Sequence, residues 1–167
     1  LVPFEVPGAP GRQFFRNAGV VRHVGTEAAA TLATGPATLR LAWTGIDARF
    51  VRYAAGDSSY AGRRVPGVAP RRLEAALGWR GPRGAFVELE TRAQDRTPAD
   101  DANRASSPGW LLATLRATAP HVRVAGTTVA PFAGVANLLD ARWDAAVTVN
   151  AAGARYFEPG PGRTVYL

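Results

Sequence analysis

Glu88 and Glu90 stand two residues apart in the stretch AFVELETRAQD, Ala85 to Asp95. In an extended chain alternate side chains share a face, so both carboxylates point the same way. A pair of acids could in principle do the acid–base work of glycoside hydrolysis. Arg72 and Arg92 flank them, however, and an ion-pair network is the better reading of that mixture. His23 and His121 are the only histidines, and no serine lies in a nucleophile-elbow pattern. His23 and Glu27 can share a strand face, but no third metal ligand is close in sequence. Gly160-Pro161-Gly162-Arg163 lacks the Lys-Ser/Thr and the following helix of a phosphate loop. There is no cysteine, which excludes disulfides, thiolate metal sites and thiol nucleophiles. We therefore expect no catalytic residue, no metal site and no cofactor.

The chain has 167 residues, 47% of them hydrophobic, and a net charge of +7. That suits an ordinary folded domain and is too apolar for a disordered tail. Every cationic side chain is an arginine, with no lysine anywhere. Beside abundant Ala, Gly, Pro and Val, this reads as codon bias. A nucleic-acid surface mixes Lys with Arg and clusters them, so no nucleic-acid partner is expected. No apolar run approaches the ~20 residues of a membrane helix, which leaves β-barrels untouched. With no Met at position 1 and an extended run that stops at Leu167, the sequence reads as a piece of a longer chain.

Pro and Gly punctuate the chain, and the segments between them alternate with period two. Leu1 to Phe4 reads as the tail of a strand and Glu5 to Gln13 as a loop. Phe14 to Ala33 reads as a strand in spite of its alanines, and Thr38 to Tyr53 as the next. Arg72 to Arg80 separates Leu73, Ala75, Leu77 and Trp79 from Arg72, Glu74, Ala76 and Arg80. Ala85 to Asp95, Trp110 to Val124 (interrupted by Pro120) and Thr128 to Leu139 follow. Ala154 to Phe157 is a short extended piece, then a Pro/Gly knot, then a last strand from Arg163.

Two regularities emerge. Each strand has one aliphatic face and one polar face, the latter carrying Arg72, Glu74, Glu88, Glu90, Arg92 and Arg116. Connections also alternate in length. Thr34–Ala37, Gly81–Gly84 and Ala125–Thr127 are short; Glu5–Gln13, Ala54–Pro70, Arg96–Pro108 and Asp140–Gly153 are long. In an up-and-down sheet the short turns then lie at one end and the long loops at the other. That is the pattern of an outer-membrane barrel. The aliphatic face would meet lipid and the polar face would line the lumen. Trp79, beside a short turn, suits an interfacial aromatic girdle. A soluble all-β ligand-binding module, a lipocalin-like barrel or sandwich, could show the same alternation.

Four segments carry a family resemblance. They are Phe15 to Glu27 (FRNAGVVRHVGTE, with Asn17, Gly19, Gly25 and Glu27), Asp47-Ala48-Arg49-Phe50, Asn137-Leu138-Leu139-Asp140, and Arg155 to Arg163 (RYFEPGPGR, with Glu158, Pro159, Gly162 and Arg163). Their order and spacing resemble the C-terminal barrel part of TonB-dependent outer-membrane receptors over nearly the whole chain. Val24, Thr26 and Leu139 depart from the usual residues. The resemblance implies an all-β fold, an antiparallel meander of about 7–8 strands forming an open segment of a ~22-strand transmembrane barrel. It takes 1–167 as one barrel segment, without the plug domain, the TonB box or the terminal aromatic residue. It implies outer-membrane location in a Gram-negative bacterium, uptake of a siderophore–iron complex or similar scarce nutrient, and no enzyme activity. Its implied partners are membrane lipid, that nutrient, the barrel-assembly machinery, and TonB only through the plug. Substrate would be met in the long loops, where Arg52, Tyr53, Tyr60, Arg63 and Trp143 offer cationic and aromatic groups for an anionic chelate.

Overall fold

The computed structural model describes residues 2–4, 8, 14–16 and 19–167. Its main sheet holds β1 (Gly19–Thr34), β2 (Ala37–Ala55), β3 (Arg71–Arg80), β4 (Phe86–Gln94), β5 (Trp110–Thr118), β6 (Phe132–Ala136) and β7 (Thr164–Tyr166). Each pairs antiparallel with its predecessor, so the order in the sheet is the order in the chain. An eighth strand, Ser58–Ser59, pairs only with the end of β2 at Ala54 and Ala55. Among the described residues β1 and β7 each keep one side unpaired, so the sheet is an open meander. Val2–Phe4 pairs with Phe14–Arg16, and Asn17 of the first motif lies outside the described residues, as does most of the Glu5–Gln13 loop.

The period-two pattern translates into cross-strand rows. Leu32, Leu39, Leu77, Leu89, Leu115, Val135 and Val165 stand opposite one another in turn, one from each of the seven strands. Their side is the outside of the sheet: Leu32 is 63% exposed, Leu77 53% and Val165 67%. The buried apolar residues among those described are Phe50 and five alanines. The large aliphatic side chains thus form a continuous exposed belt, which water would not tolerate on a monomer.

The short turns gather at one end. Gly35-Pro36 joins β1 to β2, with Gly35 at φ 51°, in the first central position where a tight hairpin takes glycine. A 3₁₀ turn, Pro82–Gly84, joins β3 to β4. The Arg80 N–H donates to the Pro36 carbonyl at 2.8 Å and that of His121 to the Arg83 carbonyl at 3.0 Å, so neighbouring turns are tied together.

Three readings of local structure are corrected. Trp110 to Val124 is not one strand: β5 ends at Thr118, and Val122–Val124 leaves the sheet to pair with Thr127–Val129. Likewise Thr128 to Leu139 breaks between Val129 and Phe132. Pro120 and Pro131 sit at the two breaks, where a missing N–H and a fixed φ end a ladder. The Ala119 N–H donates to the Pro131 carbonyl at 2.8 Å, closing the sheet just before the small hairpin peels away. Third, Ala152–Ala154 forms a 3₁₀ turn, and extension resumes only at Phe157–Pro159, which pairs with Asp144–Val147.

Candidate functional site

The polar face of the sheet is built from the residues that alternate with the leucine row. Glu88 on β4 lies directly opposite Arg116 on β5 and Gly78 on β3. Gly78 has no side chain to fill the space. The Phe86 ring takes it, 3.1–3.2 Å from where a Cβ would stand, and Glu88 Oε2 lies 3.6 Å from that point. Glu88 therefore reaches across β3 to the Arg40 guanidinium of β2 while Arg116 donates to its other oxygen. The carboxylate is 1% exposed although both arginines remain about half exposed. A carboxylate buried between two guanidinium groups, one on each oxygen, is held in place by charge-assisted bonds, so the trio acts as a brace across the strands. Glu90 is held by Arg92 on its own strand at 2.7 Å. Arg72 and Glu74 lie exposed on the same face, and among the described residues neither joins an ion pair there. Arg40, which alternation places on this face, is the partner that sequence reading passed over.

The long loops are not slack connections. Asn103 Oδ1 accepts the Arg64 N–H at 2.8 Å, and Asn103 Nδ2 donates back to the Arg64 carbonyl at 2.9 Å. The Gly67 N–H donates to the Pro98 carbonyl at 2.8 Å, and Arg63 Nη1 to the Ala102 carbonyl at 2.6 Å. These bonds fasten the loop after β2 to the loop after β4. Asn150 then fastens the latter to the loop after β6. Its side chain donates to Asp101 Oδ2 and accepts the Asp101 N–H, both at 3.0 Å, and its own N–H donates to the Ala99 carbonyl at 2.9 Å. Ala48, Phe50, Ala69, Thr97, Ala99 and Ser107 are buried here. The best-packed part of the chain is this cap, not the wall.

Aromatic groups line the cap. A bulge after Val20 leaves Val51 unpaired and swaps the facing of β2 beyond it. Phe50 and Tyr53, three apart, therefore stack at 4.7 Å, and Tyr53 meets Tyr60 at 5.5 Å. Burial first, then the Asp101 carboxylate, pushes the Tyr53 hydroxyl above its usual range. Tyr60, Tyr156, Arg104, Asp100, Asp101 and Asn150 surround a cavity of about 460 Å³ between the three loops. Of the loop residues expected to meet substrate, Tyr53 and Tyr60 come together. Arg63 is committed to the Ala102 backbone, and Arg52 stands exposed on β2 beside the bulge. Trp143 belongs to another cluster, edge-on to Trp110 at 5.3 Å, its Nε1 donating to the Pro161 carbonyl at 3.1 Å and its indole lying over Gly160. Arg104 and Asn150 were not singled out by sequence, and Tyr156 only as part of its motif; the tens of residues between Arg104 and the other two hide that they meet.

The motif residues turn out to be fastenings. Asn137, at φ 49°, is buried. Its amide donates to the carbonyls of Ala141 at 2.9 Å and Pro161 at 3.1 Å and accepts the Ala141 N–H at 2.9 Å. Asp140 accepts the Arg163 N–H at 3.0 Å, and a Cβ on Gly162 would stand 3.4 Å from that carboxylate. Gly19 and Gly25 pass so close to the β2 backbone that a side chain would collide with the carbonyls of Arg52 and Gly45. Glu27 is exposed and opposite Thr44; Glu158 and Pro159 pair with Ala146 and Asp144. Among the described residues, no three His, Cys, Asp or Glu side chains converge.

No family model matches the chain. Solved structures do. The ferric preacinetobactin receptor BauA from Acinetobacter baumannii superposes with a TM-score of 0.73, over 92% of this chain and 22% of that one, at 17% identity. The fold is that of part of the barrel wall in that receptor. The siderophore receptor PiuA, also from Acinetobacter baumannii, gives a TM-score of 0.71 over 87% of this chain and 21% of its own, at 16% identity. The ferric citrate transporter FecA in its unliganded form gives 0.73 over 87% and 23%, at 18% identity. The chain spans about a fifth of the length of these receptors. The resemblance to TonB-dependent receptors drawn from the four motifs thus holds at the level of fold, including the open antiparallel meander.

Proposed function

We propose that this chain is the C-terminal part of the barrel of an outer-membrane active-transport receptor. It would take up a siderophore–iron complex or a similar scarce nutrient, with energy delivered through TonB to a plug domain carried elsewhere in the receptor. The observation that carries this reading is the exposed aliphatic row from Leu32 to Val165, crossing all seven strands. A lipid-facing wall needs such a belt, while a lipocalin-like barrel or a sandwich would fold it inward. On this reading the face with Glu88, Arg40 and Arg116 lines the lumen, the short-turn end is periplasmic and the stitched loops form the outer cap. The 460 Å³ cavity offers a chelate the Arg104 cation and the rings of Tyr60 and Tyr156, beside the carboxylates of Asp100 and Asp101.

Two measurements test it. The chain should need detergent: in plain buffer its belt and two sheet edges drive association. A monodisperse sample that melts cooperatively in plain buffer overturns the membrane reading. Radioiron uptake, from ferric catecholate and ferric citrate, should be lost in cells lacking the receptor that carries this chain and after protonophore treatment. Uptake indifferent to both would sink the transport reading.

A further inference from the structure

Just beyond the aliphatic belt, on the same outer face, three arginines stand in one cross-strand row. Arg22 on β1 is opposite Arg49 on β2, and Arg49 bridges to Arg64 in the loop that continues the sheet. The row shares its face with Trp43 and Leu41, because alternation from Leu39 leads through Gly45 and Asp47 to Arg49. Like charges directly opposite one another are unfavourable. One carboxylate serves all three: Asp47 is 2.8 Å from Arg49, 3.4 Å from Arg22 and 3.8 Å from Arg64. Arg71 and Asp95 pair at 2.6 Å one step nearer the belt. Asp47, Arg64, Arg71, Asp95 and Arg96 line a cavity of about 740 Å³ floored by Gly45, over which the Trp43 indole lies. Three guanidinium groups, those of Arg64, Arg71 and Arg96, line this hollow with two carboxylates, and Arg22 and Arg49 adjoin it through Asp47. The Asn103 amide clamps both backbone groups of Arg64, so one arm of the row is held in place before any ligand arrives.

Position decides what such a hollow is for. Trp79, by the short turns, and Trp43 bracket the belt on its outer face, six residues of β2 apart in register, or roughly 20 Å along the strand. Asp47 lies four residues beyond Trp43, roughly 13 Å along a tilted strand, which is headgroup depth and not hydrocarbon depth. Excess arginine at headgroup depth, facing outward, meets phosphate, and the planar guanidinium matches it in a bidentate way. We propose that Arg22, Arg49, Arg64, Arg71 and Arg96 form a binding site for a phosphorylated lipid headgroup of the outer leaflet. The site rests on the barrel reading for its lipid-facing orientation. It is separate from the inter-loop cavity proposed for the chelate, which lies between Tyr60 and Asn150. Lipid bound here would seal the cap to the membrane and neutralise the mutual repulsion of the arginine row.

Native mass spectrometry of the detergent-solubilised protein tests this with three probes: a bis-phosphorylated glycolipid, phosphatidylcholine and inorganic phosphate. The expected result is selective retention of the glycolipid, weakened about fivefold by Arg22→Gln and by Arg64→Gln, in line with about 1 kcal/mol per basic residue near a charged surface. Arg83→Gln at the short-turn end is the control and should change nothing. Arg22 is 60% exposed, and its one ion-pair partner among the described residues stands 3.4 Å away, so its substitution leaves the sheet intact. Equal retention of phosphatidylcholine, or wild-type retention in both variants, overturns the site. Displacement of the glycolipid by an equal concentration of inorganic phosphate overturns the lipid assignment in favour of a free-anion site. Quenching of tryptophan emission by brominated lipid in the same preparation separates the two readings. Without quenching the barrel reading fails; with quenching but no lipid selectivity, only this inference fails.

Discussion

Asp140 Oδ1 accepts the backbone N–H of Arg163 at 3.0 Å, joining the exit of β6 to the entry of β7 across the whole last loop. Asn137, three residues earlier, makes the parallel connection to Pro161. Together they set where the closing strand starts.

Asn137→Ala should therefore destabilise the chain by about 1–3 kcal/mol, since it strands buried backbone groups and puts a Cβ-bearing residue without side-chain compensation at positive φ. Asn137→Gly removes the φ penalty but not the lost bonds, and should fall between. Heat-modified gel mobility and denaturant midpoints in detergent check the order. Identical midpoints for all three proteins would contradict the clamp.

Glu88→Ala leaves Arg40 and Arg116 side by side without their shared partner. Losing a buried ion pair costs about 3–5 kcal/mol, but both guanidiniums here are half solvated, so about 1–3 kcal/mol is expected. The double change Glu88→Ala with Arg116→Leu should recover part of that loss, read as a coupling energy in a double-mutant cycle.

The two faces of β2 predict opposite tolerance. Leu41→Arg places a charge near the middle of the apolar belt and should cost about 2–4 kcal/mol of stability in lipid. Ala42→Arg, one residue on and on the polar face, should shift stability by less than about 1 kcal/mol. Equal effects at both positions would mean that the apolar face does not meet lipid.

Asn150→Ala should loosen the cap without touching the wall. Both side-chain connections to Asp101 are lost with it while the backbone bond to Ala99 remains, so hydrogen exchange should quicken in residues 97–107 while β3 and β4 keep their protection. Uniform exchange before and after would show that the loops are not cooperatively joined.

Much of the wall was legible beforehand, and the reasons are local. Leu73 to Trp79 and Val87 to Ala93 alternate cleanly because each strand of a single wall meets two different environments. Positions of the long loops followed from Gly and Pro clusters. The breaks at Pro120 and Pro131 were underweighted: both stretches stay aliphatic through the proline, and only the pairing of Val122–Val124 with Thr127–Val129 reveals that they leave the sheet. The Val51 bulge was invisible for the same kind of reason, because an unpaired residue has no mark of its own in an alternating run.

What the amino-acid sequence determined by itself was the wall: strand number, facing, the alternation of short and long connections, and the motif residues. Period-two patterning and proline are short-range constraints, readable one residue against the next. The tertiary structure alone decided who meets whom. Arg40 reaches Glu88 across 48 residues, Asp101 meets Asn150 across 49, and Arg22, Arg49 and Arg64 fall into one row. Those meetings depend on register and on loop closure, which accumulate over the whole sheet and leave no trace in local spacing.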